Sequence, residues 1–338
     1  MIEGQADGIR RRRVLVLVGT GTIGRATVKA LLARGHDFVC LVRSRPNTGG
    51  RAQGPAVDDD LAGATLRFGD VTDPASLARD GIRGEAFDVL LSCLASRTGA
   101  PDDAWRIDHA AHMRALEQAR EAGIPHMIQL SAICVQKPVL AFQQAKLAFE
   151  ESLIASGIHY TIVRPTAFFK SLSGQVERVR QGKSFLVFGD GTLTACKPVS
   201  DNDLGAYLAD CIDNPERRNR ILPIGGPGPA ITPRMQGERL FALCGRPPRF
   251  AQVPVALLDG LVPVLTALAR ILPSLRGKAE MAKIGRYYAT ESMLVLDPGT
   301  GLYDAEATPS TGSDTLFDYY ARLMDGTERA ERGDHAVF

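Results

Sequence analysis

The stretch VLVLVGTGTIGRATVKALLA, residues 14–33, decides the fold of this chain. Its first five residues are apolar and include three valines, which is typical of a β-strand buried on both faces of a parallel sheet. A glycine-rich turn follows directly, and the residues after it have the apolar spacing of an amphipathic helix. Strand, glycine-rich turn and helix in this order form the first unit of a dinucleotide-binding sheet.

The three glycines of this turn each have a physical role in binding a dinucleotide. Gly19 allows the tight turn, Gly21 lets the backbone approach a pyrophosphate, and Gly24 lets the helix pack closely against the strand. The start of the helix then offers amide donors and the positive end of its dipole to the phosphates. The residues predicted to bind the cofactor here are Gly19, Thr20, Gly21, Thr22, Ile23 and Gly24.

Composition describes a globular chain of 338 residues with a net charge of only +2, which gives no indication of nucleic acid binding. The six cysteines form no CxxC pair, and the six histidines show no metal-ligand spacing, so we expect neither disulfides nor a metal site. Residues 1–13 are polar and lack the apolar core of a secretory signal. These features predict a cytoplasmic protein.

The end of the second predicted strand, residues 36–43, selects between the two nicotinamide dinucleotides. An acidic residue at this position would bind the ribose 2′-hydroxyl of NAD, whereas an arginine suits the 2′-phosphate of NADP. Here the strand ends in Arg43, followed by Ser44, which favours NADPH. After the third strand, Asp70 is predicted to accept a hydrogen bond from the adenine amino group, with a helix N-cap as the alternative role.

Strands and helices continue to alternate along the chain, with further strands predicted at residues 87–95, 127–132 and 160–165. This order predicts an α/β protein with a Rossmann-like, doubly wound parallel sheet and right-handed crossovers. Because such sheets bind ligands at the carboxyl ends of their strands, more cofactor contacts are expected there. They are Val71, Cys93, Leu94, Ala95, Pro165, Thr166 and Phe168.

The regular alternation of strands and helices weakens after the sixth strand, which predicts two regions with different functions. Residues 14–183 are predicted to form mainly the NADP-binding region, and residues 184–325 a smaller substrate-binding or lid region, with flexible ends at 1–13 and 326–338. The stretch from Val255 to Leu272 is largely apolar but falls short of the ~20 apolar residues of a membrane-spanning helix. It is interpreted as a buried core helix, a lid or a contact with a membrane surface.

The helix after the fifth strand indicates which chemistry the site can perform. Short-chain dehydrogenases carry Tyr-x-x-x-Lys there, and the tyrosine exchanges a proton with a carbonyl or alcohol. The matching window is Phe142-Gln-Gln-Ala-Lys146, which keeps the lysine and lacks the tyrosine. Carbonyl reduction by this pair is therefore disfavoured. The predicted catalytic residues are Lys146, which would also bind the nicotinamide ribose of the cofactor, and Ser131 at the end of the fifth strand.

Longer segments are far more specific than the glycine motif. Residues 91–99 (LSCLASRTG), 130–138 (LSAICVQKP), 142–150 (FQQAKLAFE), 164–172 (RPTAFFKSL) and 288–298 (YATESMLVLDP) resemble the 3,8-divinyl (proto)chlorophyllide 8-vinyl reductases. The likeness extends over roughly residues 14 to 325. One departure is Gly19-Thr-Gly21, where relatives have Gly-Ala-Thr-Gly, but three usable glycines remain.

The resemblance implies an atypical short-chain dehydrogenase of (bacterio)chlorophyll biosynthesis that reduces a vinyl group to ethyl with NADPH. Because residues 1–13 are too short and too acidic for a transit peptide, we expect the version of a phototrophic bacterium. The substrate would be a tetrapyrrole, divinyl chlorophyllide or protochlorophyllide. Aromatic rings would form an apolar wall, while charged and phenolic groups would meet the propionate or supply the proton. The substrate contacts predicted on this basis are Phe142, Phe169, Lys170, Arg286, Tyr287 and Tyr288.

Two other functions are compatible with the same sequence. An isoflavone or phenylpropanoid reductase also retains the lysine without the tyrosine, and a non-enzymatic NADP-binding regulator would use the same fold without turnover. The sequence leaves open the proton donor, the preferred pigment and the oligomeric state.

Overall fold

A seven-stranded, wholly parallel sheet forms the centre of the computed structural model, which describes residues 11–17, 21–43, 61 and 63–329. The strands occur in the order β3-β2-β1-β4-β5-β6-β8. Strand β7 pairs in parallel with β9, and β10 pairs antiparallel with β11. The bounds are β1 Arg13–Leu17, β2 Asp37–Val42, β3 Thr65–Phe68, β4 Val89–Ser92, β5 His126–Leu130, β6 His159–Pro165, β7 Phe185–Phe188, β8 Arg220–Ile224, β9 Phe250–Val253, β10 Val295–Leu296 and β11 Tyr303–Asp304.

Helices cover both faces of the sheet and build the C-terminal region. They are α1 Thr22–Ala33, α2 Pro74–Ser76, α3 Pro101–Ala104, α4 His112–Glu121, α5 Ala141–Ala155, α6 Phe169–Leu172, α7 Val176–Arg180, α8 Asp201–Asp213, α9 Pro233–Leu243, α10 Val255–Ile271, α11 Arg276–Thr290 and α12 Leu316–Asp325. Two π-helical segments, Leu77–Ile82 and Trp105–Ala111, directly follow α2 and α3 respectively. The doubly wound parallel sheet that the sequence predicts is confirmed.

The core has one layer on each face of the sheet. On one face, α1 and α8 cover residues such as Val16 and Val163, and on the other, α4 and α5 cover residues such as Leu15 and Ile162. Alternating side chains of each strand thus enter opposite layers. Gly205 of α8 allows the two helices on the first face to cross closely, because a Cβ there would lie 2.6 Å from the carbonyl carbon of Ala26.

Strand β8 extends the sheet beyond the predicted region boundary at residue 183. Arg220–Ile224 lies within the predicted smaller region, residues 184–325, but it pairs in parallel with β6 as the edge of the central sheet. Helix α8 makes this parallel pairing possible, because parallel strands need a crossover long enough to return the chain to the same end of the sheet.

Helix α10 corrects one interpretation of the apolar stretch after residue 254. A core helix would be buried, but Ala269 is the only buried residue among the seventeen of α10. The helix packs against α11 and exposes much of its apolar surface. The interpretation as a buried core helix is therefore wrong. No helix in the described part of the chain is long and apolar enough to cross a membrane.

Candidate active site

A cavity of about 430 Å³ opens at the carboxyl ends of β1, β4, β5 and β6. Its walls come from the first turn of α1, from the loops after these strands, and from the C-terminal region. The predicted residues that it brings together are Gly21, Thr22, Ile23, Gly24, Cys93, Leu94, Ala95, Ser131, Phe142, Lys146, Pro165, Thr166, Phe168, Lys170 and Tyr288. Parallel strands gather segments that are distant in sequence, as expected for a ligand site of this fold.

The start of α1 is suited to bind an anion. Gly21 is its N-cap residue, no side chain caps the exposed amides, and the first turn contains no acidic residue. A Cβ placed on Gly21 would meet nothing within 4 Å among the described residues. This backbone is therefore open to a pyrophosphate, which helix N-termini bind through amide donors and the helix dipole. Gly19 and Thr20 lie outside the described residues.

Lys170 adds a cation at this same place. Its Nζ donates a hydrogen bond of 2.7 Å to the hydroxyl of Thr22, the first residue of α1. The sequence predicts that Lys170 contacts the substrate propionate or supplies the proton, but the observed bond directs its ammonium group to the helix start that is open to phosphate. A lysine acts there as a point charge for an anionic oxygen.

Lys146 lies in a buried ion pair that the sequence does not reveal. Its Nζ is 2.9 Å from Oδ1 of Asp108, and their side chains are 7% and 0% exposed. The amide of Ser96 donates a further hydrogen bond of 3.2 Å to the same oxygen. Within the described part of the chain, Oδ2 of Asp108 has no hydrogen-bond partner. The pair holds a buried ammonium group at the cavity wall.

The π-helical segment Trp105–Ala111 is what places Asp108 there, packed against α5. A π-helix is wider than an α-helix, so it changes which residues face a neighbouring element, and such segments are frequent at functional sites. Sequence periodicity assumes 3.6 residues per turn and therefore could not assign Asp108 to the site. The sequence carries no signal for this role, because burial of the Asp108 carboxylate depends on tertiary packing.

Ser131 is bound to a second buried ion pair instead of presenting a free hydroxyl. Its Oγ donates a short hydrogen bond to Oε1 of Glu150. The guanidinium of Arg164 holds the same carboxylate through Nε, at 3.2 and 3.1 Å from its two oxygens, and through Nη2. A serine has one hydroxyl proton, and here it is used in this network. The predicted catalytic role of Ser131 therefore finds no support in this geometry.

His112, one turn after Asp108, is neutral. Its Nδ1 lies 2.9 Å from the Ile107 carbonyl, which can only accept, so Nδ1 donates and Nε2 accepts from the Ser92 hydroxyl at 2.8 Å. Burial, and then the positive charge of Lys146, lower the pKa of His112 to about 4. The imidazole therefore supports β4 and the π-helical segment as an uncharged group.

The C-terminal region supplies an apolar wall to the cavity. Met281, Ile284 and Tyr288 of α11 line it, together with Cys196 and Met293. Burial, together with the neighbouring Cys134 and Tyr287, raises the pKa of Tyr288 well above its usual value, so its phenol keeps its proton. Tyr288 thus brings a phenolic donor to a cavity in which position 142 is phenylalanine.

Three predicted substrate residues do not line this cavity. Phe169 is buried with Tyr319, their ring centroids 5.5 Å apart, in the core around α9 and α12. Tyr287 is buried and donates its hydroxyl to the Cys134 carbonyl at 3.1 Å. Arg286 forms a 2.7 Å ion pair with Asp259 that joins α11 to α10. Adjacent positions on a helix point about 100° apart, so only Tyr288 of this run faces the cavity.

The cofactor residues predicted after β2 and β3 lie at a different place from the cavity. Arg43 is exposed at the end of β2, and its charge acts on Asp70 after the neighbouring strand. Asp70 accepts hydrogen bonds of 2.8 and 2.7 Å from the amide and hydroxyl of Thr72, which lower its pKa. Asp73, and not Asp70, caps α2. Val71 is buried, and Ser44 lies outside the described residues.

No group of three His, Cys, Asp or Glu side chains that could hold a metal ion occurs among residues 11–17, 21–43, 61 and 63–329. The thiols on the cavity wall are uncharged. Burial raises the pKa of Cys93 and Cys196 to about 12, and that of Cys134 to about 11. They act as apolar wall atoms.

Comparison with known proteins places this geometry in a family. Residues 19–215 match an NAD(P)H-binding family. The divinyl chlorophyllide a 8-vinyl-reductase of Zea mays is 50% identical over 331 residues, covering 96% of this chain and 82% of that protein. The protein of the same name from Arabidopsis thaliana is 47% identical over 329 residues, covering 95% and 79% respectively. Both relatives are chloroplastic.

A solved structure shares the fold at low identity. The NADPH-dependent quinone oxidoreductase of Escherichia coli, determined with NADPH, has a TM-score of 0.67 at 20% identity and covers 92% of this chain and 99% of its own. At this identity the likeness concerns the fold alone. The identity to the two plant proteins over nearly the whole chain confirms the resemblance seen in the sequence. The chain binds NAD(P)H and belongs to the divinyl chlorophyllide a 8-vinyl-reductase family.

Proposed function

We propose that this chain reduces the C8 vinyl group of divinyl chlorophyllide a, or of the corresponding protochlorophyllide, to ethyl with NADPH as the reductant. The observation that carries the proposal is the composition of one cavity. The uncapped start of α1, a buried lysine and an apolar wall from the C-terminal region all line the same space. Such a cavity suits an anionic cofactor beside a large apolar substrate.

The proposed reaction adds one hydride and one proton across a carbon–carbon double bond. NADPH supplies the hydride when it is bound. The electron pair displaced from the vinyl group spreads into the conjugated macrocycle, so no alkoxide develops that would need an adjacent acid. Phe142 in place of a tyrosine is compatible with this chemistry, whereas ketone reduction would need a proton donor at that position.

Lys146 is proposed to bind the nicotinamide ribose, and Asp108 to hold its ammonium group in position. The 2.9 Å ion pair limits the rotation of the Lys146 side chain, so that its remaining N–H donors can serve the ligand. Lys170 and the start of α1 are proposed to bind the pyrophosphate, and Arg43 to select NADPH over NADH through the 2′-phosphate.

Tyr288 is proposed as the proton donor. It lines the cavity, and its raised pKa keeps the phenol protonated over the whole neutral range. An acid with a high pKa transfers its proton only to a strong base, and a carbanion in the macrocycle is one. Phe142, on the same cavity wall as Lys146, is proposed to contact the flat face of the macrocycle.

The proposal also assigns different functions to the two regions of the chain. Residues 14–183 would mainly bind the cofactor, while residues 184–325 would mainly form the substrate wall. Cys196, Tyr288 and Met293 support this assignment, because they reach the cavity from the second region. We propose that the protein works in the cytoplasm, at the surface of a photosynthetic membrane, which the stretch from Val255 to Leu272 would contact.

Incubation of the purified chain with 3,8-divinyl chlorophyllide a and NADPH tests the function. We expect a blue shift of the Soret band that requires NADPH, and a product with two additional hydrogen atoms by mass spectrometry. Turnover of a phenylpropanoid instead would support the isoflavone-type alternative. Binding of NADPH that stabilises the fold, without turnover of any tetrapyrrole, would support the regulator and refute the proposal.

A further inference from the structure

Helix α10 exposes an unusually large share of its apolar side chains. Leu257, Val264 and Ile271 are 61%, 56% and 79% exposed. Leu261, Leu268 and Leu272 are exposed as well. A single exposed leucine is ordinary on a protein surface, but a group of six on one helix and its end marks an interaction surface.

The exposed residues form one stripe instead of a scattered set. Positions 257, 261, 264, 268 and 271 follow one another at steps of four and three, which places them on a single helical face. The stripe is about 21 Å long at the usual rise of an α-helix. We call these five residues the α10 stripe.

The α10 stripe belongs to the hairpin that closes the cavity. Helix α10 packs against α11, and the Arg286–Asp259 ion pair links them. Helix α11 in turn contributes Met281, Ile284 and Tyr288 to the cavity wall. Met281, one of these wall residues, is 46% exposed. The hairpin therefore separates the candidate active site from whatever covers the stripe.

The charged side chains near the turn between α10 and α11 are all positive. Between Asp259 and Glu280 the sequence contains Arg270, Arg276 and Lys278 and no acidic residue. All three cations are exposed. An apolar helical face beside exposed cations is the pattern of helices that lie in the interface of an anionic membrane.

We infer that the α10–α11 hairpin docks on the surface of an anionic lipid bilayer, with the α10 stripe inserted among the acyl chains and the cations at the headgroups. A protein partner is disfavoured by composition, because residues 255–275 contain no aromatic side chain, and protein interfaces are enriched in aromatic residues. The docking depends on this surface alone. Delivery of an apolar tetrapyrrole from the bilayer through the α11 wall rests, in addition, on the proposed function.

Cosedimentation of the full chain with vesicles tests the inference without cofactor or pigment. The vesicles are phosphatidylcholine alone, or phosphatidylcholine mixed with phosphatidylglycerol. We expect binding to the mixed vesicles, and a loss of at least about tenfold in partition coefficient for the triple variant Leu257→Ser, Val264→Ser, Ile271→Ser, since each buried side chain contributes to binding. Arg270→Gln, Arg276→Gln, Lys278→Gln should remove the preference for phosphatidylglycerol while binding to neutral vesicles is kept.

A matched control is Val139→Ser with Leu302→Ser, which removes apolar side chains that are 61% and 69% exposed outside the hairpin. This control should bind vesicles like the wild type. NADPH binding by every variant establishes that the fold is intact. Failure of the wild type to bind vesicles, or equal binding by the stripe variant, would overturn the inference. So would a concentration-dependent dimer in light scattering that the stripe variant abolishes, because a second copy would then cover the face.

Discussion

The buried pair between Lys146 and Asp108 should be strongly coupled, and a double-mutant cycle measures this directly. The perturbations are Asp108→Asn, Lys146→Met and the two together, which change charge with little change of volume. Each single variant leaves one charged or polar group buried opposite an unsuitable partner. The double variant removes both charges, so the cycle isolates the interaction between them.

Coulomb's law gives the scale of this coupling. At the observed 2.9 Å, and with an effective dielectric constant of about 20, two unit charges attract by about 6 kcal/mol. Loss of one partner of a buried pair typically costs about 3–5 kcal/mol, because the other charge stays buried. We therefore expect a coupling free energy of about 3 kcal/mol or more, with the double variant more stable than the sum of the single changes predicts.

Urea unfolding followed by circular dichroism provides the free energies, and a surface pair provides the control. Arg234 and Glu238 are 3.0 Å apart in α9, but both are almost half exposed. Solvent screens such a pair, so the same cycle there should give only about 0.3–0.5 kcal/mol. A coupling at Lys146–Asp108 no larger than this control would refute the reasoning that burial makes the pair strong.

A second measurement separates positioning from mere stability. If Asp108 holds the ammonium group of Lys146 in position for cofactor binding, Asp108→Asn should raise the KM for NADPH. Glu238→Gln should leave this KM unchanged. An Asp108→Asn enzyme that is only less stable, with a normal KM for NADPH, would contradict the positioning role.

Four further results are expected. Tyr288→Phe should lower kcat at least about tenfold while NADPH binding is kept, because the phenol is the proposed donor; an unchanged kcat would exclude it. Arg43→Glu should raise the KM for NADPH at least about tenfold and not that for NADH, as steady-state kinetics will show. Gly205→Ala should lower the urea midpoint because its Cβ meets the backbone of α1, whereas Gly285→Ala, where a Cβ meets nothing within 4 Å, should stabilise α11 by about 0.5–1 kcal/mol. The pKa of His112 is about 4 in the folded state and near 6.5 in the unfolded state, so the free energy of unfolding is highest above pH 6.5 and declines towards pH 4. His112→Gln should make this decline smaller by up to about 3 kcal/mol, as unfolding at a series of pH values will show.

The strand, turn and helix patterns along the chain could be predicted from the sequence alone. The apolar run before Gly19, the glycine spacing and the helix after it required only the two side-chain periods and the backbone freedom of glycine. From that unit and the later alternation, the parallel sheet and the cofactor class followed. The family resemblance depended on whole segments, such as residues 130–138, whose order of side chains is too specific for a common fold to explain.

The tertiary structure decided the pairings of groups that are distant in sequence. Asp108 reaches Lys146 from a π-helical segment, and Tyr288 reaches the cavity from a helix that is far from the cofactor motif in the sequence. The same holds for helix α10, whose apolar residues were equally compatible with a core and with a surface. Periodicity reports which side chains share a face, but burial depends on what the rest of the chain packs against that face. For this protein the sequence by itself therefore determined the fold and the family, whereas the neighbours of Lys146, the phenol in the cavity and the exposed face of α10 were decided by packing alone.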